Sequence, residues 1–152
     1  MNLKLIDQNL ILQLNQTIGN PEQMTLSNVL RSTKLEALIG ISLPEDYKQF
    51  IDKYGYLCLN NISREVYGYK LEYDINKIPC VIGATNLCKI EYKLDHHQLV
   101  ISHTGYESNI VILDTISGYV LEQNYSGVRK KIANSFSIWL ARLVSENDLA
   151  SL

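Results

Sequence analysis

The segment from Pro44 to Gly55 constrains the fold more than any other part of the sequence. Pro44 suits the first helical position, and Glu45 and Asp46 place negative charge at the positive end of a helix dipole. Apolar side chains then recur at i, i+3, i+4 and i+7: Tyr47, Phe50, Ile51 and Tyr54. Gly55 can end the run. The pattern predicts a short helix with one face packed on a hydrophobic core.

Three more helices are predicted from the same spacing. Residues 3–18 form an amphipathic segment that Gly19-Asn20-Pro21 closes. Residues 33–40 begin with Thr33 and Glu36, which fit a capping box, and end at a glycine. A closing helix over residues 135–146 carries an apolar stripe: Phe136, Trp139, Leu140, Leu143 and Val144.

Strands are expected between these helices. Tyr56 to Asp74 is rich in Tyr, Val, Ile and Leu, and residues 99–101, 110–113 and 119–121 are short apolar runs. The connections between the last three are too short for parallel crossovers, so these strands are predicted to be antiparallel neighbours. Residues 78–92 fit a helix that runs into a strand. Helices, then strands, then a closing helix predict an α+β fold.

Composition limits the classes of function. At 152 residues and 46% hydrophobic content the chain is predicted to form a single domain over residues 1–152. Its net charge of -2 does not supply the basic surface of a general nucleic-acid binder. No uninterrupted apolar stretch approaches the roughly 18 residues that a membrane span needs. Glycine-rich phosphate-binding motifs are absent from the sequence, and the triplet Arg129-Lys130-Lys131 is interpreted as a solvated loop or helix start.

Cysteine and histidine offer the only obvious candidates for catalysis or metal binding. An odd number of cysteines, without C-x-x-C spacing or a secretory signal, fits a reducing cytosol: Cys58, Cys80 and Cys88. The adjacent pair His96-His97 would face opposite sides of a strand, so a solvated pair is favoured over a zinc site. A Cys–His hydrolase that uses one of the thiols and His103 stays open, although buried inert thiols are favoured.

Two features distinguish the chain from an ordinary small domain. Ten of its aromatic residues are Tyr, a side chain that suits protein interfaces as well as half-buried strand positions. From Asp95 to Gly127 the sequence has four acidic residues and no Lys or Arg. This stretch predicts a negative surface, either a solvated face or a docking surface for a basic protein.

Residues 35–55 resemble the signature of the SUKH superfamily, the Smi/Knr-like proteins. The resemblance consists of a helix that ends at Gly40, the motif Leu43-Pro44-x-x-Tyr47, an aromatic-centred helix and a closing Gly55. The later strand pattern and the closing helix are similar to the family in order and spacing. The resemblance implies an α+β fold in which a curved, mainly antiparallel sheet is flanked by N-terminal helices and a closing C-terminal helix.

The resemblance also implies a function without catalysis, cofactor or metal. Bacterial members are mostly immunity proteins that bind and neutralise polymorphic toxins, often nucleases, and fungal members are regulatory interaction proteins. We therefore expect a cytoplasmic immunity protein that occludes a cognate toxin, a basic nuclease domain, with no direct nucleic-acid or membrane partner. The alternative is a regulatory interaction module with a housekeeping partner.

The partner-binding residues are predicted from chemistry, since the family offers no catalytic residues to carry over. Tight binding of a toxin needs a few aromatic anchors and complementary charge. The tyrosines and acids of the sheet region are the candidates: Tyr67, Tyr69, Glu72, Tyr106, Glu107, Asp114, Glu122 and Tyr125.

Overall fold

Four α-helices, one short 3₁₀ helix (Asn60–Ile62) and six strands lie in residues 30–104 and 109–150, the part of the chain that the computed structural model describes. The helices are α1 (Arg31–Ile39), α2 (Glu45–Lys53), α3 (Val81–Cys88) and α4 (Phe136–Leu149). The strands are β1 (Leu57–Leu59), β2 (Arg64–Val66), β3 (Gln98–His103), β4 (Ile110–Asp114), β5 (Val120–Gln123) and β6 (Arg129–Ala133). The predicted helix over residues 3–18 and the turn at 105–108 lie outside the described residues. No described helix is long and apolar enough to cross a membrane.

The strands form two antiparallel sheets, which confirms the predicted α+β fold. The larger sheet has the order β3-β4-β5-β6, and β1 pairs with β2 in a separate hairpin. A hydrogen bond from Tyr67 N to Ile101 O, 2.7 Å, joins the chain after β2 to β3. Both β3 and β4 are almost wholly buried, whereas Arg129, Lys130 and Lys131 are exposed on the edge strand β6. The sheet is therefore covered at its β3–β4 side and open at β6.

Helices α2 and α4 meet through an aromatic cluster, as their apolar faces predicted. Phe136 is fully buried, and its ring centroid lies 4.9 Å from that of Tyr47 and 5.3 Å from that of Phe50. The buried Asp46 carboxylate accepts a hydrogen bond from Ser137 N at 2.9 Å, which caps the start of α4 from the neighbouring helix. Shape and capping together fix how these two helices pack.

The predicted capping box at Thr33 and Glu36 is wrong. Helix α1 begins at Arg31, before Thr33, and its N-cap Leu30 makes no side-chain capping bond. The Glu36 carboxylate instead accepts a hydrogen bond from Leu43 N at 2.8 Å, so it joins α1 to the chain that enters α2. Gly40 does end the helix, with a φ of 68° that glycine adopts without strain.

Two further predictions in the sheet region need correction. Residues 78–92 contain helix α3 but no strand, because backbone bonds in the following segment close local turns, with Tyr92 N to Cys88 O at 3.0 Å and Leu94 N to Lys89 O at 3.1 Å. The basic triplet at 129–131 is neither a loop nor a helix start. It begins β6, and charged side chains suit an edge strand because they oppose pairing with another chain.

Candidate functional site

The structure brings a thiol and an imidazole together at the end of β3. Cys88 Sγ lies 3.8 Å from His103 Nε2, and the other ring nitrogen, Nδ1, lies 2.8 Å from the Tyr67 hydroxyl. Cys88 and Tyr67 are buried, and His103 is partly buried. This is the proximity that a Cys–His hydrolase requires and that sequence spacing could not show.

The protonation states of this pair oppose nucleophilic catalysis. Burial raises the pKa of the Cys88 thiol, and the charge of Glu91 adds to the rise. Burial lowers the pKa of His103, which Glu65 only partly offsets. A neutral thiol beside a neutral imidazole is the reverse of the thiolate–imidazolium pair that activates a cysteine. The arrangement therefore favours a packing role for these side chains.

The structure pairs neither of the other two thiols, Cys58 and Cys80, with a histidine among the described residues. Cys80 is buried with a raised pKa, caused first by desolvation, and Cys58 is exposed with its Sγ 3.2 Å from Asn60 Oδ1. His97 Nε2 lies 3.0 Å from Asp114 Oδ2, whereas His96 is exposed. Within residues 30–104 and 109–150, no three His, Cys, Asp or Glu side chains form a group that could hold a metal ion.

The carboxylate of Asp114, a predicted contact residue, is engaged within its own turn. Its Oδ1 accepts hydrogen bonds from Ile116 N and Ser117 N, and its Oδ2 accepts from Gln98 Nε2 at 3.3 Å. Desolvation alone would raise the pKa of Asp114, but the bonds from Ser117, Gln98 and His97 outweigh it and lower the pKa to about 2. Asp114 thus stabilises the β4–β5 turn, and its predicted contact with a partner stays a prediction.

We expect Asp114→Asn to lower the free energy of unfolding by about 1 kcal/mol at neutral pH, because solvent screens part of the stabilisation that the pKa shift represents. A depressed carboxyl pKa stabilises the fold above the ordinary pKa near 4, and this contribution is lost as the pH falls towards about 2. The difference in free energy of unfolding between the natural chain and the variant should therefore decrease as the pH falls from about 4 to about 2, as measured by urea unfolding at several pH values. The exposed Glu72→Gln serves as control, and a gap that is independent of pH contradicts the assignment.

The predicted negative surface is weakened at β5, because β6 lies beside that strand. Glu122 in β5 is the direct cross-strand neighbour of Lys130, and Leu121 is the neighbour of Lys131. Opposite charges at such positions attract and cancel much of each other's field. The acidic stretch in the sequence ends at Gly127, just before the strand that supplies these cations.

The predicted contact residues are distributed between the core and the surface. Tyr67 and Tyr69 are 4% and 3% exposed, so the structure does not place them where a partner could reach them. Tyr67 is held there by its bond to His103, and Tyr69 N by a bond to Gly55 O. Glu72 is exposed between β2 and α3, and Tyr125 is 69% exposed. Tyr106 and Glu107 lie outside the described residues.

Tyr125 is one of four exposed apolar side chains in two segments, the β5–β6 turn and the end of α3 with the residues after it. We call this set the hairpin-end patch; its members are 63–87% exposed: Leu87, Ile90, Tyr125 and Val128. Tyr125 and Val128 lie in the β5–β6 turn. Two hydrogen bonds between Asn124 and Val128 close this turn. The end of α3 is joined to this turn by a hydrogen bond of 2.9 Å from Gln123 Nε2 to Tyr92 O and by the edge-to-face contact of Tyr92 with Tyr125.

The hairpin-end patch can bind protein through hydrophobic contact. Exposed apolar side chains grouped on a small protein are typical of interaction sites, whereas scattered ones need no explanation. Sequence analysis missed Leu87, Ile90 and Val128. Ile90 carried a usable signal, because it lies between the charged residues Lys89 and Glu91 just beyond the end of α3, where no apolar face requires it.

Comparison with known proteins agrees with the resemblance found in residues 35–55. A family profile described as SMI1-KNR4 cell-wall, one of the SUKH group, matches residues 7–145. None of the curated proteins compared with the chain matches it in sequence. The profile spans nearly the whole chain, including helices α1 to α3, most of α4, both sheets and the hairpin-end patch. The chain therefore belongs to the SMI1-KNR4 family of the SUKH superfamily.

Proposed function

We propose that the chain is an immunity protein that binds a toxin protein and neutralises it by occlusion. One observation carries this proposal: four large apolar side chains stay exposed in the β5–β6 turn and in the segment that the Tyr92–Tyr125 contact joins to it, beside a sheet whose strands β3 and β4 are almost wholly buried. A protein that covers another protein needs such a surface and no reacting groups. The protonation of the Cys88–His103 pair agrees with a function that does not involve catalysis.

The energetics of toxin neutralisation fit a surface of this kind. An immunity protein must hold its toxin at about nanomolar affinity, or about -12 kcal/mol. Interfaces of that strength usually bury roughly 1,600 Å² and take most of their energy from a few aromatic or apolar anchors near the centre. Ile90 and Tyr125, exposed by 87% and 69%, are the anchors that we assign to the centre of the hairpin-end patch.

The class of toxin is proposed from the family resemblance, which implies a nuclease domain met in the cytoplasm. The surface offers less free negative charge for a basic nuclease than the sequence suggested. Glu122 is the cross-strand neighbour of Lys130, and the Asp114 carboxylate accepts hydrogen bonds within its turn. We keep Glu72, Tyr106 and Glu107 as proposed contact residues in addition to the hairpin-end patch.

Co-expression with a candidate toxin encoded beside this gene tests the proposal. Cells that make the toxin are expected to survive only when the chain is present, and the two proteins should co-purify as a stable complex. The same toxin without this chain is the control for toxicity. Cell death that the chain does not prevent, together with absence of a complex, contradicts the proposal.

A regulatory interaction module is the second candidate, favoured by the family's description as SMI1-KNR4 cell-wall. On this reading the same exposed patch binds a resident protein of the cell. Deletion of the gene distinguishes the two functions. A toxin-specific immunity protein is dispensable in cells that lack the toxin, whereas loss of a regulatory module changes growth or cell-wall integrity without any toxin.

A further inference from the structure

Strand β6 lies at the end of the larger sheet, and in the described part of the chain no strand pairs with its outer edge. Its first three residues, Arg129, Lys130 and Lys131, are exposed. We call the outer side of these three residues the β6 edge. It follows directly on Val128 of the hairpin-end patch, so the two features adjoin. The main chain of an unpaired edge can accept an added strand.

The hydrogen bonds of the β5–β6 hairpin show which main-chain groups point outward. Asn124 N donates to Val128 O at 3.1 Å, and in an antiparallel ladder bonded pairs alternate with unbonded ones. Counted along the ladder, Lys130 belongs to the next bonded pair and directs its N–H and C=O to β5. The N–H and C=O of Arg129 and of Lys131 therefore point away from β5.

The open part of the strand ends after these residues. Arg142 Nη1 donates to Ile132 O at 2.6 Å, so a side chain of α4 already occupies the next outward carbonyl. Ala133, at the end of β6, is buried. An added strand would therefore pair along the three exposed cations.

Charge selects the strand that can pair here. The side chains of Arg129 and Lys131 lie on one face of β6, because strand side chains alternate. Arg129 Nε donates to Gln123 Oε1 at 2.8 Å, and Lys131 Nζ lies 4.4 Å from the ring centroid of Tyr119. Both of these contacts are with neutral groups, and among the described residues no carboxylate forms an ion pair with either cation. The two positive charges are thus available to a partner.

We infer that the β6 edge pairs with an extended segment of the partner protein that carries acidic side chains at alternate positions; this rests on the proposed function. Acids two residues apart would lie opposite Arg129 and Lys131. Lys130, on the other face, already has Glu122 as its cross-strand neighbour. A second copy of this chain is not the occupant, because its own β6 edge would bring like charges together. The cations that oppose self-pairing leave the edge open to a strand of opposite charge.

Peptide binding to the full chain tests the inference. The probe is an acetylated hexapeptide amide of alternating Glu and Val, titrated at low salt while the backbone amide resonances are recorded. We expect saturable shifts and slower hydrogen exchange at the N–H groups of Arg129 and Lys131. Binding should be roughly tenfold tighter than that of the matching Lys and Val peptide, because two attractive pairs replace two repulsive ones. A Glu and Val peptide with methylated backbone nitrogens cannot donate to the edge and should not bind.

Substitutions at Lys131 separate main-chain pairing from charge. Lys131→Pro removes an outward N–H, which an edge strand tolerates, and should abolish peptide binding with little change in melting temperature. Lys131→Glu keeps the N–H and should remove the preference between the two peptides, because either one then forms one attractive and one repulsive pair. Lys34→Glu, the same change in charge at an exposed site on α1, should keep the preference. If Lys131→Pro loses its fold, Lys131→Glu still carries the test.

The outcomes separate the inference from the proposed function. Equal binding of the Glu and Lys peptides by the natural chain, or binding of the methylated peptide, overturns the inference. A thymidine oligonucleotide of six residues that binds as tightly as the Glu peptide also overturns it, because negative charge would then suffice without a strand. Full protection from the toxin by a folded Lys131→Pro variant overturns it but leaves the proposed function intact. Preference for the Glu peptide without protection by the natural chain supports pairing at the β6 edge and counts against the toxin as its partner.

Discussion

Replacement of Phe136 by Ala is expected to lower the free energy of unfolding by about 3–5 kcal/mol. The side chain is fully buried at the first residue of α4, and its ring contacts those of Tyr47, Phe50 and Trp139 at centroid distances of 4.9, 5.3 and 5.9 Å. Truncation removes these contacts and leaves a cavity between α2 and α4. The surrounding rings are held by their own helices, so little collapse into the cavity is expected.

Urea unfolding of the variant and of a control on the same helix measures this effect. Ile138→Ala truncates an apolar side chain that is 42% exposed, so its cost should be well below that of the buried ring. Both variants keep Ser135 as the N-cap of α4, where its hydroxyl accepts from Ile138 N. Equal destabilisation by the two substitutions would show that the aromatic cluster does not hold α4 against α2.

The helices could be predicted because their signals are local. The sequence of α2 contains its first-turn acids, its apolar face and the glycine after its end, and the helix forms at Glu45–Lys53 as expected. The closing helix was predicted over 135–146 and extends to Leu149, a difference of three residues. Short-range hydrogen bonding and side-chain spacing decide both cases, and the sequence displays them directly.

Strand pairing could not be predicted in the same way, because pairing partners are set by tertiary structure. Nothing in Arg129-Lys130-Lys131 indicates a strand, yet β5 supplies a ladder that makes these residues β6. The same pairing places Lys130 opposite Glu122 and so weakens, at β5, the negative surface predicted from residues 95–127. Charge counted along a sequence window predicts a surface only when no strand from outside the window lies beside it.

The exposure of individual tyrosines could not be predicted from the sequence either. Tyr67 and Tyr125 have the same side chain and both lie in the sheet region, but their neighbours differ. Tyr67 is buried, with its hydroxyl bonded to His103, whereas Tyr125 lies in a turn with a ring contact to Tyr92. The chemistry of a partner site could be anticipated, but which residues would present that chemistry depended on the packing of α3 against the sheet.

Substitution of Ile90 and Tyr125 together by Asp is expected to abolish protection from the toxin and to weaken the complex by roughly a hundredfold or more. Both side chains belong to the hairpin-end patch, at 87% and 69% exposure. In a complex each would enter an apolar pocket of the toxin, where a buried carboxylate without a partner is strongly unfavourable. Affinity is measured by calorimetry, and protection by survival in co-expression.

Ile116→Asp is the matched control. It removes an exposed apolar side chain far from the patch, so it shows whether the effect depends on where the side chain lies. Ile116 is 77% exposed in the β4–β5 turn, at the opposite end of the sheet from the β5–β6 turn. Tyr125 also contacts Tyr92, so Ile90→Asp alone is measured as a variant in which no ring contact is lost. If Ile116→Asp weakens the complex as much as Ile90→Asp, the binding surface does not lie at the hairpin end. If only Ile90→Asp weakens the complex, and its free energy of unfolding is unchanged, the loss of affinity arises from lost contact with the toxin. The fold is then intact, so an exposed side chain can affect affinity only through the partner atoms that it contacts.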